Sequence, residues 1–466
     1  MWQLNPASRL PVYKQLMKLV EKNMESGRLA PGERLPSERR LATLLGINRS
    51  TVIRALDELV ERGILMKKRG SGTYVNSEKW GVQSYALLNW QGPSLVLPGK
   101  HEGVLSREAV IVREEKEKTG ETFHDLSGDS VPLDLLPDLN IPQQSWEEVV
   151  AAEKSDEASR LGLLSFRHTV QRFLREVRGL SVPLEEILIT SGSRQSLFLI
   201  TQCLLRPGDA VGIEAPSYFY SLPIFQAAGL RLLALPMDGG GISMDGLESA
   251  VRRRPLKMIF LNPIFHNPTG SIMKDARKKA ILDFCAKKHI PVVEDDAYSL
   301  LPFDTVQNLS ALKAHDRQNQ VIHIGSLSSY AGKNLRTGWL VAPPAVTTKL
   351  ADVRLMMDAG LSVLPQILAK EYLDQTAIEH LPVIRQELAR RAANLKACLE
   401  SLFPGELDLL PARGGLFTYA LMHKKDDESY SSLQSNFLRN GILPALSESF
   451  GDSRKAFRLN HGVFNE

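Results

Sequence analysis

From residue 187 onward the sequence alternates short apolar runs with amphipathic stretches, and this alternation limits the possible folds more than any other feature. The apolar runs are Ile187–Thr190, Ala210–Ile213, Leu230–Ala234, Met258–Leu261, Pro291–Val293, Val321–Ile324 and Leu340–Ala342. Stretches with helical spacing at 165–178, 192–204 and 274–288 separate several of them. Strands that alternate with helices form a mainly parallel sheet covered by helices. The sequence therefore predicts an α/β domain. Helical patterns after about residue 345, followed by strand-like pieces at 416–421 and 456–459, predict a small C-terminal α+β subdomain.

The first 77 residues differ from the rest in pattern and in charge. They contain 14 Lys/Arg and 7 Asp/Glu, which gives a net charge of +7 and leaves −3 for the remaining residues. A helical pattern over residues 10–27 is followed by a second helix after Ser37, a third over Arg49–Arg62 after Asn48, and a hairpin over Ile64–Val75. This order predicts a winged helix-turn-helix. The alternative is a small helical domain with a solvated basic surface.

The same stretch carries a specific signature. It runs Leu35-Pro36-Ser37-Glu38-Arg39-x-Leu41-Ala42-x-x-Leu45-Gly46-x-x-Arg49-x-Thr51-Val52, with Gly70-Ser71-Gly72-Thr73 in the hairpin. This pattern resembles the GntR family of bacterial repressors, which implies binding to a double-stranded DNA operator. Side chains at the start of a recognition helix and in a wing contact base edges and phosphates. The residues implied are Ser37, Arg39, Asn48, Arg49, Ser50, Thr51, Arg54, Lys67, Lys68, Arg69 and Gly70. For Lys67 and Lys68 the alternative is a pair of solvated wing charges.

In the predicted α/β domain, polar loops follow the apolar runs, at the strand ends where open α/β sheets bind ligands. The first loop, Ser191-Gly192-Ser193, opens a helix whose N-terminus suits a phosphate. The other loops are Glu214–Tyr218, Asn262–Gly270, Glu294–Tyr298 and Gly325–Trp339. In the last of these, two serines and Arg336 can hold an anion. Each loop alone also fits a capped turn, a packing residue or an ion pair. Their order and spacing together predict a cofactor site.

These loops, together with Phe457-Arg458-Leu459-Asn460, resemble the fold-type I aminotransferases, which use pyridoxal phosphate (PLP). The resemblance implies that Asp295 pairs with the pyridine nitrogen, that Asn267 and Tyr298 reach the ring hydroxyl, and that Tyr218 stacks on the ring. It further implies an effector carboxylate on Arg458 and a phosphate on Ser191, Gly192, Ser193, Ser326, Ser328 and Arg336. The whole chain then resembles the MocR/GabR subgroup of GntR-family regulators, which are dimers whose large domain binds PLP, often with an amino acid or related effector.

Two places depart from the aminotransferase pattern. Ser329 stands at the Schiff-base lysine position, and a serine cannot bond to the aldehyde carbon or shuttle the proton. The segment Ser159–Arg167 lacks the tyrosine that commonly reaches the partner's phosphate. We therefore predict no catalytic residue and no turnover, with PLP held non-covalently or as a preformed amino-acid adduct. Two alternatives are left: the site has changed to bind another ligand, or Ser329 is an introduced substitution.

The function predicted is a DNA-binding transcription regulator that senses PLP, an amino-acid effector or both. The alternative is a PLP-dependent aminotransferase with an accessory DNA-binding module, which would need Lys333 to reach the aldehyde carbon.

We expect domains at 1–77 and 121–466, with the small subdomain at about 346–466, and a linker at 78–120. The sequence shows no membrane-spanning run, signal peptide or metal-ligand spacing, and its three cysteines are far apart. A cytoplasmic homodimer with reduced thiols is therefore expected.

Overall fold

The structure is a computed structural model of the chain. It describes residues 10–25, 29, 33–68, 71–76, 112–113, 116, 120, 122–139, 146–153, 160–303, 309–424 and 426–465. The predicted linker at 78–120 lies almost entirely outside these residues. The chain divides into two compact units, Met1–Pro98 and Gly99–Glu466.

Three helices and a two-stranded wing make up the described part of the N-terminal unit. Its elements are α1 (Val12–Glu25), α2 (Glu38–Leu45), α3 (Arg49–Glu61), β1 (Leu65–Lys68) and β2 (Gly72–Val75). Ser37 caps α2 by accepting a hydrogen bond from the backbone N–H of Arg40, and Gly46 ends it with a left-handed φ of 62°. Asn48 caps α3 through the N–H of Ser50. The two strands are antiparallel, so the predicted winged helix-turn-helix is confirmed.

The apolar faces of these elements close a single core. Leu16, Val20, Leu41, Val52 and Leu56 are all fully buried in it. Burial of a side chain of this size contributes about 1.5–3 kcal/mol relative to its exposure. Because the buried face of α3 points into this core, its polar N-terminal residues face outward.

An eight-stranded sheet forms the centre of the C-terminal unit, in the order β4-β11-β10-β9-β8-β5-β6-β7. The strands are β4 (Ile187–Thr190), β5 (Ala210–Ala215), β6 (Arg231–Asp238), β7 (Gly241–Ile242), β8 (Met258–Leu261), β9 (Val292–Asp296), β10 (Val321–Ser326) and β11 (Gly338–Val341). Only β11 and β7 run antiparallel to their neighbours. Each predicted apolar run forms a strand, and the mainly parallel sheet is confirmed.

Helices cover both faces of this sheet. They are α4 (Trp146–Glu153), α5 (Leu164–Arg178), α6 (Ser193–Leu204), α7 (Ile224–Ala227), α8 (Met244–Arg253), α9 (Asp275–Lys288), α10 (Pro344–Asp358), α11 (Val363–Glu371) and α12 (Ala377–Leu402). Successive strand residues point to opposite faces. Ile187 and Ile189 therefore share one core with Phe166 of α5, whereas Leu188 shares another with Leu197 of α6. Burial on both faces explains why these strands are continuously apolar.

A smaller sheet with the order β12-β13-β16-β15 forms the C-terminal layer. Its strands are β12 (Leu407–Leu409), β13 (Phe417–Met422), β15 (Ala445–Leu446) and β16 (Ala456–Asn460), and α13 (Asp427–Arg439) follows β13. A separate pair joins β14 (Ile442–Leu443) in parallel to β3 (His124–Asp125). This pairing brings the segment around residue 127 next to β16. By contrast α10, which contains the expected boundary near residue 346, packs against α6 beside the large sheet.

Candidate functional site

The carboxyl ends of the parallel strands bring the loops predicted to bind a cofactor to one edge of the large sheet. Ser326 at the end of β10 lies opposite Gly338, which in turn lies opposite Thr190 at the end of β4. Only glycine fits at position 338, because an added Cβ would lie 2.6 Å from the Gly325 carbonyl oxygen and 3.0 Å from the Cα of Gly192. The loop before α6 and the end of β10 are therefore in direct contact.

Ser191, Gly192 and Ser193 lead into α6, with Ser326 and Ser328 facing them. A Cβ added to Gly192 would lie 3.7 Å from Ser326 Oγ and 3.8 Å from Ser328 Oγ. Ser326 Oγ donates to Ser328 Oγ at 3.2 Å and accepts from the Ser328 backbone N–H at 3.2 Å. The first turn of α6 contains no acidic residue. The start of α6, with its helix dipole, and the serine hydroxyls thus lie together at a position suited to an anion, where the Ser191 N–H donates to Gln195 Oε1 at 2.8 Å.

Arg336 stands two residues before β11, beside this space. Its side chain is exposed and its φ is 45°, a left-handed value that is uncommon for a residue other than glycine. Within the part of the chain that the structure describes, its guanidinium makes no hydrogen bond or ion pair. This arginine can therefore bind an added anion without giving up an existing partner there.

Asp295 on β9 is buried, at 1% exposure. Its Oδ2 accepts a hydrogen bond from the hydroxyl of Tyr218, whereas its Oδ1 has no hydrogen-bond partner among the described residues. Burial raises the pKa of Asp295 to about 7, and the bond from Tyr218 offsets this only in part. A buried polar atom without a partner costs about 1–3 kcal/mol. This oxygen is the natural place for an N–H donor with positive charge.

Glu294 and Asp296 flank Asp295 on the strand and therefore point to the other face of the sheet. Glu294 accepts hydrogen bonds from His323 Nδ1 at 3.0 Å and from two backbone N–H groups. Burial opposes the ionisation of Glu294, but these bonds outweigh it and lower the pKa. Asp296 pairs with the buried Arg178 at 2.9 Å. The structure thus holds three consecutive acids in two environments, and only Asp295 faces the predicted site.

Arg458 of β16 is fully buried beside Asn267. Its Nη1 donates to Asn267 Oδ1 at 3.0 Å, and its Nη2 donates to the carbonyl of Ser127. The guanidinium lies over the ring of Phe417, 4.4 Å from the centroid, and the ring of Tyr298 packs edge-on against the same phenylalanine. Both predicted ring-hydroxyl partners and the predicted carboxylate arginine are therefore brought together.

Ser329 is half-buried in the loop after β10, whereas Lys333 lies at the surface with 54% of its side chain exposed. The Lys333 Nζ donates to Asp129 Oδ1 at 2.7 Å, and Asp129 Oδ2 lies 3.7 Å from Arg194 Nη2. Burial opposes ionisation of Asp129, but Lys333, Arg458 and Arg194 lower its pKa overall. Sequence reasoning missed Asp129, which belongs to no motif, and gave no role to Arg194, although Arg194 directly follows Ser193 in a predicted cofactor loop. The proximity of Asp129 depends on the β3–β14 pairing.

In the segment Ser159–Arg167, which lacks the usual tyrosine, Ser159 lies outside the described residues. Arg167 is buried and donates to the carbonyls of Ile187 and Leu184. Its role is therefore to satisfy backbone groups at the start of β4.

Elsewhere, the described residues include no group of three His, Cys, Asp or Glu that could hold a metal ion. None of the described helices is long and apolar enough to cross a membrane.

The predicted DNA-contacting residues of the helices lie mostly on one polar surface at the start of α3. Arg39, Ser50 and Arg54 are exposed, and Thr51 is half-buried. Arg49 is exposed and pairs with Glu38 at 3.0 Å. An exposed ion pair of this kind contributes only about 0–1 kcal/mol and is easily exchanged for a phosphate contact. Ser37 and Asn48 use their side-chain oxygens as helix caps, a role that sequence also predicted.

In the wing, the two predicted lysines are exposed and already have partners within the N-terminal unit. Lys67 Nζ lies 2.5 Å from Asp57 and 3.9 Å from Glu38. Lys68 Nζ lies 4.9 Å from the ring centroid of Tyr74. Arg69 and Gly70, also predicted to contact DNA, lie outside the described residues.

Two family models match the chain. The model for bacterial regulatory proteins of the gntR family matches residues 12–75, and the model for aminotransferase class I and II matches residues 155–445. The chain is 33% identical to the HTH-type transcriptional regulator YisV of Bacillus subtilis over 99% of this chain and 94% of that protein. It is 25% identical to the HTH-type transcriptional regulator NorG of Staphylococcus aureus over 92% of this chain and 95% of that protein.

Among solved structures, the fold is similar to kynurenine aminotransferase of Pyrococcus horikoshii, with a TM-score of 0.64 and 26% identity. The match covers 77% of this chain and 92% of that chain. It is also similar to the α-aminoadipate aminotransferase LysN of Thermus thermophilus, with a TM-score of 0.62 and 26% identity over 77% of this chain and 94% of that chain. The chain therefore belongs to the MocR/GabR subgroup of GntR-family transcription regulators, in which a winged helix-turn-helix is joined to an aminotransferase class I and II domain.

Proposed function

We propose that the aminotransferase domain of this regulator binds PLP, alone or as an amino-acid adduct, as a signal and without turnover. The observation that carries the proposal is the buried Asp295, whose Oδ1 lacks a partner among the described residues. A protonated pyridine nitrogen supplies the missing donor together with the opposite charge. The bound cofactor would contribute a cationic ring that withdraws electrons.

The other end of the proposed ligand meets a matching set of groups. The N-terminus of α6, Ser326, Ser328 and the exposed Arg336 would hold the phosphate, since hydroxyls, helix N–H groups and a guanidinium all favour a dianion. The left-handed backbone of Arg336 supports this assignment, because such conformations concentrate at functional sites. Arg458 would take an effector carboxylate, in exchange for its present bonds to Asn267 and the carbonyl of Ser127, and Asn267 would donate to the ring hydroxyl.

The absence of turnover is proposed from residue 329. A serine hydroxyl forms no stable bond with an aldehyde, and its high pKa makes it a poor proton shuttle. The alternative, an aminotransferase with a DNA-binding module, needs Lys333 as the amine. Lys333 instead lies at the surface and donates a charge-assisted hydrogen bond to Asp129 at 2.7 Å, a partner that it would have to give up to act as the amine.

The regulator would act as a homodimer on a double-stranded operator with two half-sites. A single winged helix makes few base contacts, and two-fold symmetry doubles them. The polar start of α3 supports this mode of binding, since its arginines are exposed and only weakly paired. The cytoplasm is the proposed location, because that is where the operator lies.

We expect Arg49→Ala to weaken operator binding by about 1–3 kcal/mol, because it removes a base-edge or phosphate contact from the recognition helix. The measurement is a gel-shift titration at fixed salt with an operator fragment selected by the wild-type protein. Arg62→Ala is the matched control, since Arg62 lies just beyond the far end of α3 and pairs with Glu58 at 2.7 Å. Equal affinities for all three proteins would exclude the proposed role of Arg49.

A further inference from the structure

The large sheet has a second edge, opposite the cofactor residues, where the parallel strands begin. The segment before β4, with Glu185 and Glu186, lies at one end of this edge. The other five loops at this edge lie at 204–210, 228–231, 252–258, 286–292 and 316–321, before β5, β6, β8, β9 and β10 respectively. They contain nine Lys/Arg and only two Asp. This excess of positive charge is unexpected, because the residues after 77 as a whole carry a net charge of −3.

Strand register places these cations side by side. The backbone N–H of Lys257 donates to the carbonyl of Ala210, and that of Arg231 donates to the carbonyl of Asp209. The N–H of Val292 donates to the carbonyl of Gln320. Neighbouring strands lie about 4.8 Å apart, so the row from β10 to β6 spans roughly 19 Å.

Most of the cations in this row are exposed and without acidic partners. Arg254 is half-buried, and the other eight cations are exposed, namely Arg206, Arg231, Arg252, Arg253, Lys257, Lys287, Lys288 and Arg317. Among the described cations of these loops, only Arg252 forms an ion pair, with Glu248 at 3.4 Å. Asp316 pairs with Lys313, which lies outside these loops, at 3.6 Å. The two aspartates are occupied by turns, since Asp209 accepts from the N–H of Arg206 and Asp316 accepts from three backbone N–H groups. Neither is placed to neutralise the row.

We propose that this edge, defined by the five loops, is a second DNA-binding surface that contacts phosphates without reading sequence. A row of exposed and mostly unpaired cations matches duplex DNA, which carries about one negative charge per 1.7 Å of axis. The chain already contains a sequence-reading module in its winged helix, so DNA is the polyanion that this regulator meets. The inference goes beyond the proposed function, which places DNA contacts only in the N-terminal unit.

The test compares full-length proteins on a fluorescent mixed-sequence duplex of about 40 base pairs, with affinity measured by anisotropy across a range of salt concentrations. One variant combines Arg253→Gln, Lys257→Gln and Lys288→Gln. The matched control combines Lys396→Gln, Lys424→Gln and Arg439→Gln, which are exposed cations elsewhere in the C-terminal unit. Exposed substitutions of this kind change stability by about 0.5 kcal/mol or less, so both variants should fold.

Each lost phosphate contact reduces the slope of log affinity against log salt by about 0.9, so the edge variant should lose about 2 to 3 from the slope and bind more weakly. The control variant should match the wild type. If the edge variant has the same slope as the wild type, the second DNA-binding surface is wrong, while the proposed function of the winged helix still stands. The cations of the edge would then bind an acidic protein or only face solvent. Wild-type protein that fails to bind any duplex would overturn the proposed DNA-binding function as well.

Discussion

Ser329→Lys protein incubated with PLP and then reduced with borohydride should carry the cofactor covalently on residue 329, whereas wild-type protein should carry none. A lysine placed in the loop after β10, partly desolvated and in the same loop as the cationic Arg336, would have a lowered pKa and a free amine to attack the aldehyde. Labelling should rise from background to near completion. Peptide mapping by mass spectrometry identifies the modified residue, and a new visible absorption band reports the bond before reduction.

Ser329→Arg is the matched control, because it adds the same charge and a similar volume but no amine that can form the bond. It should give the wild-type result. If Ser329→Lys binds PLP without a covalent link, the assignment of residues 325–339 to the cofactor is wrong. Labelling of Lys333 in the wild type would instead favour the aminotransferase alternative.

Asp295→Asn should weaken PLP binding and at the same time stabilise the free protein at high pH. The isosteric amide keeps an acceptor for Tyr218 but loses the negative charge, so a charge-assisted bond to the pyridine nitrogen of about 1.5–3 kcal/mol is lost. Calorimetric titration with PLP measures this loss. The affinity should fall by roughly tenfold to a hundredfold.

The stability effect follows from the raised pKa of Asp295, which burial moves from 3.8 to about 7. The unfolded chain loses this proton near pH 4 and the folded chain only near pH 7, so the free energy of unfolding falls as pH rises between these values. At pH 8 the cost in the wild type is up to about 4 kcal/mol, and Asn cannot ionise. Urea unfolding at pH 5 and pH 8 should therefore show the gain of Asp295→Asn mainly at pH 8.

Asp275→Asn gives a control of opposite sign. Burial opposes ionisation of Asp275, but hydrogen bonds from Ser310 and Lys278 lower its pKa to about 2. Its contribution is therefore present at neutral pH and lost as pH falls toward 2, so the substitution should destabilise the protein at pH 8 and leave PLP affinity unchanged. If Asp295→Asn destabilises the protein in the same way, the carboxylate is held by interactions that the structure does not contain.

The sequence predicted the large sheet well because its central strands are buried on both faces. Met258–Leu261, for example, contains no polar residue, and all four residues are buried. Turn residues and helix caps marked the remaining boundaries. Ser37 and Asn48 hold their helices as their side-chain chemistry predicts. These signals are local, and local signals can be read from one sequence.

The contacts that sequence missed depend on pairs of residues far apart in the chain. The two-residue strand β3 is too short for any periodicity, yet its pairing with β14 carries Asp129 to Lys333. Likewise, the bond from Tyr218 to Asp295 depends on a side-chain rotamer, whereas the sequence predicted only that both residues would lie near the same ring. Strand geometry alone predicts that Asp295 points to one face of the sheet and its two acidic neighbours to the other. It does not predict which groups these three carboxylates bond to.

The central claim is that this regulator holds PLP without a covalent bond. It is tested most directly by equilibrium dialysis of wild-type protein against PLP, followed by borohydride reduction, denaturation and mass measurement. The proposal predicts stoichiometric binding in dialysis and an unmodified polypeptide mass after reduction. A polypeptide that retains reduced cofactor, or one that binds no PLP in dialysis, would contradict it.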